Sequence, residues 1–147
     1  MGHEKVVEAF GYWPLFHDAE VRSMSFDRNR ILFDTISNPC VGLVVHAFEW
    51  TVAKDNSPPS FNHHIVHFEF EEVDEVRLSG FNHQNAILSI RFEPGEAAGS
   101  GVPQHRVILD PVHELAESFS YTLASSFIYT RGRIVSVVPC NDQGSPR

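Results

Sequence analysis

The chain has 147 residues, a length typical of one domain with a single hydrophobic core. Hydrophobic residues make up 42% and charged residues 20%, which excludes a disordered tail and a low-complexity chain. Its 11 basic and 19 acidic residues give a net charge of −8, which argues against nucleic acid or an anionic membrane as the main partner. We predict one domain over residues 1–139 and a flexible tail over residues 140–147.

The sequence shows no targeting signal. No apolar run approaches the roughly 20 residues that span a bilayer, and the first residues lack the basic and apolar regions of a signal peptide. We therefore expect a cytoplasmic protein. Cys40 and Cys140, the two cysteines, are expected to be reduced thiols in that compartment.

The first predicted elements are a short helix and a hairpin. Residues 4–10 favour a helix, because Gly11 follows its expected end and Pro14 would stop it. Residues 21–26 and 31–36 are two predicted strands, joined by a polar turn. The sequence thus predicts one short helix near the start of the chain, followed by strands.

Two strong strand patterns follow. In residues 44–52 the even positions are apolar with one polar exception, His46. The residues expected to face the core there are Val44, Phe48, Trp50 and Val52. In residues 64–71 the apolar face consists of Val66, Phe68 and Phe70, and the odd positions are polar. That alternation predicts a strand with one buried face and one solvated face.

The remaining patterns are also mostly strand. Alternation continues in residues 76–78, 88–92 and 107–109, whereas residues 113–119 are ambiguous. Residues 127–138 predict either one long strand with a glycine bend or two strands. The fold class is therefore mainly β: antiparallel sheets of about 8 to 10 strands in a meander or sandwich, with one or two short helices.

Sequence templates for nucleotide binding and for the common hydrolases are absent, which favours a protein that is not an enzyme. Histidine is nevertheless enriched, with nine residues. A metal-binding protein or metal-dependent hydrolase that uses His17, Asp18, His63 and His83 is the alternative, because three such ligands with an open position form a catalytic zinc site. The simpler interpretation gives Asp18 a backbone-bonding role at a turn. We predict no cofactor.

A run of carboxylates is the clearest electrostatic feature. Five of them occur within seven residues: Glu69, Glu71, Glu72, Asp74 and Glu75. A solvated strand face that resists edge pairing would explain the run. A docking surface for a basic partner would explain it equally, since charge complementarity raises association rate and specificity.

Two segments carry a family resemblance. The first is Tyr12-Trp13-Pro14-Leu15-Phe16-His17-Asp18-Ala19-Glu20-Val21, and the second is Leu78-Ser79-Gly80-Phe81-Asn82-His83-Gln84-Asn85. In this order they resemble the two motifs of the immunity protein 50 family of bacterial polymorphic toxin systems. With the intervening strands, the resemblance covers roughly residues 10–138.

The resemblance implies a small intracellular protein that is encoded near a toxin and binds and neutralises it. It implies no catalytic residues. The matching motif residues are Trp13, Phe16, His17, Asp18, Phe81, Asn82, His83 and Asn85, and they could either contact the toxin or hold the fold. A basic nuclease is the class of toxin that an acidic inhibitor would suit best. We therefore predict that the five carboxylates of residues 69–75 bind the toxin, and we keep an oligomerising β domain as a third possibility.

Overall fold

The computed structural model of the chain describes residues 1–28, 39–51, 59–97, 101–112 and 123–147. Within these ranges it contains one helix and eight strands. In chain order they are α1 (His3–Phe10), β1 (Glu20–Asp27), β2 (Cys40–Trp50), β3 (Ser60–Glu71), β4 (Asp74–Ser79), β5 (Ile87–Ala97), β6 (Pro103–Pro111), β7 (Ala124–Tyr129) and β8 (Arg131–Pro139). The predicted strand at residues 31–36 and the ambiguous segment at residues 113–119 lie outside the described residues.

The strands form two four-stranded sheets, in which all the described pairs are antiparallel. The first sheet has the order β1-β2-β3-β8, and the second has the order β4-β7-β6-β5. The predicted mainly β fold with antiparallel sheets is therefore confirmed, as is a short helix at the start of the chain. None of the helices among the described residues is long and apolar enough to cross a membrane.

The core lies between the two sheets and is centred on β3. The predicted inner face of this strand is confirmed, since Val66, Phe68 and Phe70 are each at most 2% exposed. The ring of Phe70 lies 5.0 Å from that of Phe127 on β7 and 6.4 Å from that of Phe92 on β5. Burial of rings of this size supplies the largest stabilising contribution to such a core.

The inward face of β2 differs from the prediction. The odd positions face the core, and Val41, Leu43, Val45 and Ala47 are at most 1% exposed. A register shift between Ala47 and Glu49 marks a bulge at the end of this pattern. The even and the odd positions of β2 are both largely apolar, so alternation alone could not decide which set faced the core. The polar His46 among the even positions was the better indication that the odd positions face inward.

Two strands, β7 and β8, occupy residues 127–138, for which the sequence predicted either one long strand or two. The chain leaves the second sheet after β7, passes through Thr130 and enters the first sheet as β8. Gly132, near the start of β8, lies close to two core rings: a Cβ there would be 3.0 Å from the Tyr129 ring and 3.1 Å from the Phe70 ring. A larger residue would displace the rings at the centre of the core.

The N-terminal residues cover the free edge of β8. Met1 accepts a hydrogen bond from the Ile134 amide at 3.0 Å, and Lys5 Nζ donates to the Val135 carbonyl at 2.9 Å. Helix α1 then buries Val6 and Phe10. Covering an edge in this way removes a template for pairing with other chains.

The C-terminal segment folds back on itself. Cys140 forms an isolated bridge with Pro146, and the Arg147 amide donates to the Pro139 carbonyl at 3.3 Å. Cys40 and Cys140 are both buried and free of a disulfide. The flexibility of residues 140–147 in solution stays a prediction.

Replacing the central ring of the core should cost far more stability than replacing an exposed ring. We expect Phe70→Ala to lower the free energy of unfolding by about 3–5 kcal/mol, because it leaves a cavity between the sheets. Phe26→Ala, at a ring that is 51% exposed, is the matched control, and we expect it to change stability by about 0.5 kcal/mol. Urea unfolding followed by fluorescence measures both, and equal losses would contradict this view of the core.

Candidate functional site

The predicted carboxylates lie where the chain twice crosses between the sheets. One crossing joins β3 to β4 through Glu72 and Val73, and the other joins β7 to β8 through Thr130. The two crossings are in contact, because the Thr130 amide donates to the Glu71 carbonyl at 3.2 Å. We call the five carboxylates of residues 69–75, at this place in the fold, the acidic corner.

Two of these carboxylates are largely withdrawn from solvent. Glu69 and Glu71 have side chains that are 10% and 12% exposed. They lie opposite Arg133 and Arg131, respectively, in the register between β3 and β8. Arg133 Nε donates to Glu69 Oε1 at 3.0 Å, and Arg131 Nε lies 3.2 Å from Glu71 Oε2. These cross-strand pairs fasten β8 to β3.

The other three carboxylates reach solvent. The side chains of Glu72 and Glu75 are 39% and 52% exposed, and Asp74 is exposed. Arg131 also pairs with Glu72 at 3.2 Å, and Arg106 on β6 pairs with Glu75 at 2.9 Å. Asp74 accepts the Glu75 amide at 2.7 Å. Glu72, Asp74 and Glu75 are therefore the carboxylates that a partner could reach.

Arginines reduce the local charge of the acidic corner. Five carboxylates and the three arginines paired with them leave a net charge of −5 + 3 = −2. Sequence reasoning missed these arginines. The available signal was spacing, since Arg131 and Arg133 are two residues apart, as Glu69 and Glu71 are, and adjacent strands can align such pairs.

The backbone of the acidic corner is unusual. Glu72 and Glu75 have φ values of 55° and 51°, in the left-handed region that non-glycine residues rarely adopt. Each such residue costs about 1–2 kcal/mol relative to ordinary backbone. Strain of this kind is retained where the fold or the function requires a particular side chain.

The first motif divides into a buried part and an exposed part. Phe16 is 3% exposed and lies 5.7 Å, ring to ring, from Phe68 in the core. Trp13 is 38% exposed and contacts Phe92 at 5.9 Å. It also borders a cavity of about 150 Å³. The cavity is lined by Met1, His3, Trp13, Phe68, Phe70, Phe92, Tyr129, Gly132, Arg133 and Ile134.

The second motif forms a loop that is closed by hydrogen bonds from its own asparagine side chains. Asn85, which is 5% exposed, accepts the Asn82 amide at 2.7 Å and donates its Nδ2 to the Asn82 carbonyl at 2.7 Å. Asn82 in turn accepts the Gln84 amide at 2.8 Å. Phe81 and His83 are exposed on this loop. The two asparagines thus hold the loop, and Phe81 and His83 are the motif residues it presents to solvent.

The two motifs meet at the start of β1. The Val21 amide donates to the Asn85 carbonyl, and the Ile87 amide donates to the Ala19 carbonyl, both at 2.9 Å. Residues far apart in sequence therefore form one structural unit that joins the two sheets.

The histidines of the alternative hypothesis occupy separate places. His17 Nδ1 lies 2.9 Å from Asp18 Oδ2 in an exposed turn, and His63 Nδ1 lies 3.0 Å from His46 Nε2 in a buried pair. His83 is exposed in the second motif. In the part of the chain that the structure describes, no group of three or more His, Cys, Asp or Glu residues could hold a metal ion.

Comparison with protein-family models decides the family. The model described as Immunity protein 50 matches residues 2–101. The chain belongs to this family. The match includes both motifs and β1 to β5, but it ends before residue 138, to which the sequence resemblance extended. Membership of the Immunity protein 50 family implies neutralisation of a toxin and therefore a cognate toxin partner. Neither the comparison with curated proteins nor that with solved structures finds a match.

Removing the amide that closes the second motif should destabilise the fold. We expect Asn85→Ala to lower the free energy of unfolding by about 1–3 kcal/mol, since it removes two hydrogen bonds between the buried Asn85 side chain and the part-buried Asn82 backbone. Gln84→Ala, at an exposed position in the same loop, is the control and should change stability by about 0.5 kcal/mol. Chemical denaturation compares the two; an Asn85→Ala protein as stable as the control would show that the amide is dispensable.

Proposed function

We propose that the chain is a non-enzymatic inhibitor that binds its cognate toxin through the acidic corner and neutralises it by covering its surface. Membership of the Immunity protein 50 family carries the proposal, because it implies a toxin partner. The net charge of −8 supports a basic partner. Glu72, Asp74 and Glu75 are the exposed members of the acidic corner and the proposed contacts.

Existing ion pairs at the acidic corner do not prevent such binding. Exposed pairs such as Arg106 with Glu75 contribute about 0–1 kcal/mol, so exchanging Arg106 for a cation of the toxin costs little. The attraction between opposite charges becomes stronger in an interface, because water no longer screens it there. Glu69 and Glu71, the two largely buried members of the acidic corner, remain paired with Arg133 and Arg131 within the sheet.

A basic nuclease is the toxin class that we propose as the partner. Such an enzyme presents cations to phosphate groups, and carboxylates held at an exposed corner would occupy the same cations. We further propose that neutralisation takes place in the cytoplasm, where a toxin of this kind would meet its substrate.

The exposed carboxylates can be tested with charge-matched variants. We expect Glu72→Gln, Asp74→Asn and Glu75→Gln together to weaken binding of the toxin encoded beside the gene by tenfold or more, about 1.4 kcal/mol. Glu4→Gln, Glu8→Gln and Glu93→Gln together are the control, because both sets change the net charge from −8 to −5. Isothermal titration calorimetry measures both affinities.

The two variant sets separate docking from long-range attraction. General attraction between an acidic chain and a basic toxin would weaken equally in both sets. Equal affinities for the two variants would therefore contradict the proposed contact surface, and toxin binding unaffected by either set would contradict an electrostatic interface altogether.

Because the backbone at Glu72 is strained, we expect a glycine substitution there to affect stability and toxin binding differently. Glycine tolerates the φ of 55° at this position, so relief of strain should offset loss of the exposed pair with Arg131. We expect Glu72→Gly to leave the melting temperature unchanged or raised while it weakens toxin binding. Differential scanning calorimetry measures the melting temperature, and titration calorimetry measures the affinity for the toxin. A large loss of stability would mean that Glu72 serves the fold instead.

A further inference from the structure

A pair of buried histidines lies beneath the end of the chain. His46 on β2 and His63 on β3 are 3% and 8% exposed, and His46 Nε2 lies 3.0 Å from His63 Nδ1. The rings are also in contact, with centroids 5.2 Å apart. A separation of 3.0 Å requires a single proton between the two nitrogens, so one ring donates and the other accepts.

The C-terminal turn, residues 139–147, covers this pair. The Cys140 amide donates to the His63 carbonyl at 3.0 Å. Gly144 lies against the His46 ring, where an added Cβ would be 3.3 Å from Nδ1. Arg22 on β1 also donates to the Gln143 carbonyl at 3.4 Å. The turn therefore rests directly on the two histidines.

We propose that the His46–His63 pair is a proton-sensitive latch that holds the C-terminal turn against the first sheet at neutral pH and releases it in mild acid. The hydrogen bond between the rings survives the first protonation but leaves a buried charge. A second proton places N–H groups on both facing nitrogens. The bond is then lost, and the rings repel each other.

The surrounding charges partly oppose and partly favour protonation. Glu20 on β1 and Asp142 in the C-terminal turn would stabilise a charged His46, whereas Arg22 on β1 and a charged His63 on β3 would destabilise it. Burial is the largest effect, and it lowers the pKa of His46 from its ordinary value, with His63 next in importance. The lowered pKa therefore favours the neutral ring while His46 is buried.

The direction of the pH effect follows from this lowered pKa. The closed state binds protons less readily than an open state in which His46 has its ordinary pKa of about 6.5. The latch therefore contributes its full stability above that pH and loses it progressively as the pH falls towards the lowered pKa. Release exposes both rings to water, so a protonated ring no longer has to carry its charge in a buried site.

Hydrogen exchange of the isolated protein tests the latch. We expect protection of the C-terminal turn, corrected for intrinsic exchange rates, to fall tenfold or more between about pH 7.5 and about pH 5, the range in which histidine titrates. The amides of Leu43 and Val45, in the centre of β2, are the internal control and should stay protected. Unchanged protection of the turn over this range would overturn the proposal.

Variants without titrating groups separate the latch from general acid effects. Gln can hydrogen-bond but does not titrate in this range, so we expect His46→Gln with His63→Gln to make protection of the turn independent of pH. A loss of protection equal to that of the unchanged protein would overturn the proposal. If the double variant does not fold, NMR titration of the unchanged protein decides: the ring signals and the Gly144 amide should share one midpoint, and separate midpoints would contradict the latch.

Discussion

Burial of one face of β3 between two sheets is the constraint on which the rest of the structure depends. Val66, Phe68 and Phe70 fill the space between the sheets, and Phe70 touches rings from β5 and β7. Because side chains alternate along a strand, the outward face must then carry Glu69 and Glu71. The same constraint that forms the core therefore determines where the acidic segment begins and where it can reach solvent.

The acidic corner consequently combines two roles. Its first carboxylates fasten β8 to β3 through Arg133 and Arg131, and its later carboxylates extend from the crossing between the sheets. The family motifs show a similar division. Phe16 and Asn85 hold the fold, whereas Trp13 and Phe81 remain partly exposed. An inhibitor needs both kinds of residue, since a rigid support reduces the entropy lost on binding.

Local patterns predicted much of this fold. The alternation around Val66 to Phe70 identified both the strand and its inward face, and the two motifs indicated the family. The inward face of β2 was predicted wrongly, because it depends on a bulge and on what covers each side. Likewise, the arginines of the acidic corner and the pairing of His46 with His63 arise from contacts between strands, which a pattern within one strand does not contain.

A hydrogen-exchange footprint of the chain bound to its toxin, compared with that of the free chain, would locate the toxin-binding surface. We predict new protection concentrated in residues 71–79, from the acidic corner into β4, and in residues 128–133 across the neighbouring crossing. Protection centred on the exposed motif residues Trp13 and Phe81, with the acidic corner unchanged, would contradict this prediction and would place the toxin on the motif surface instead.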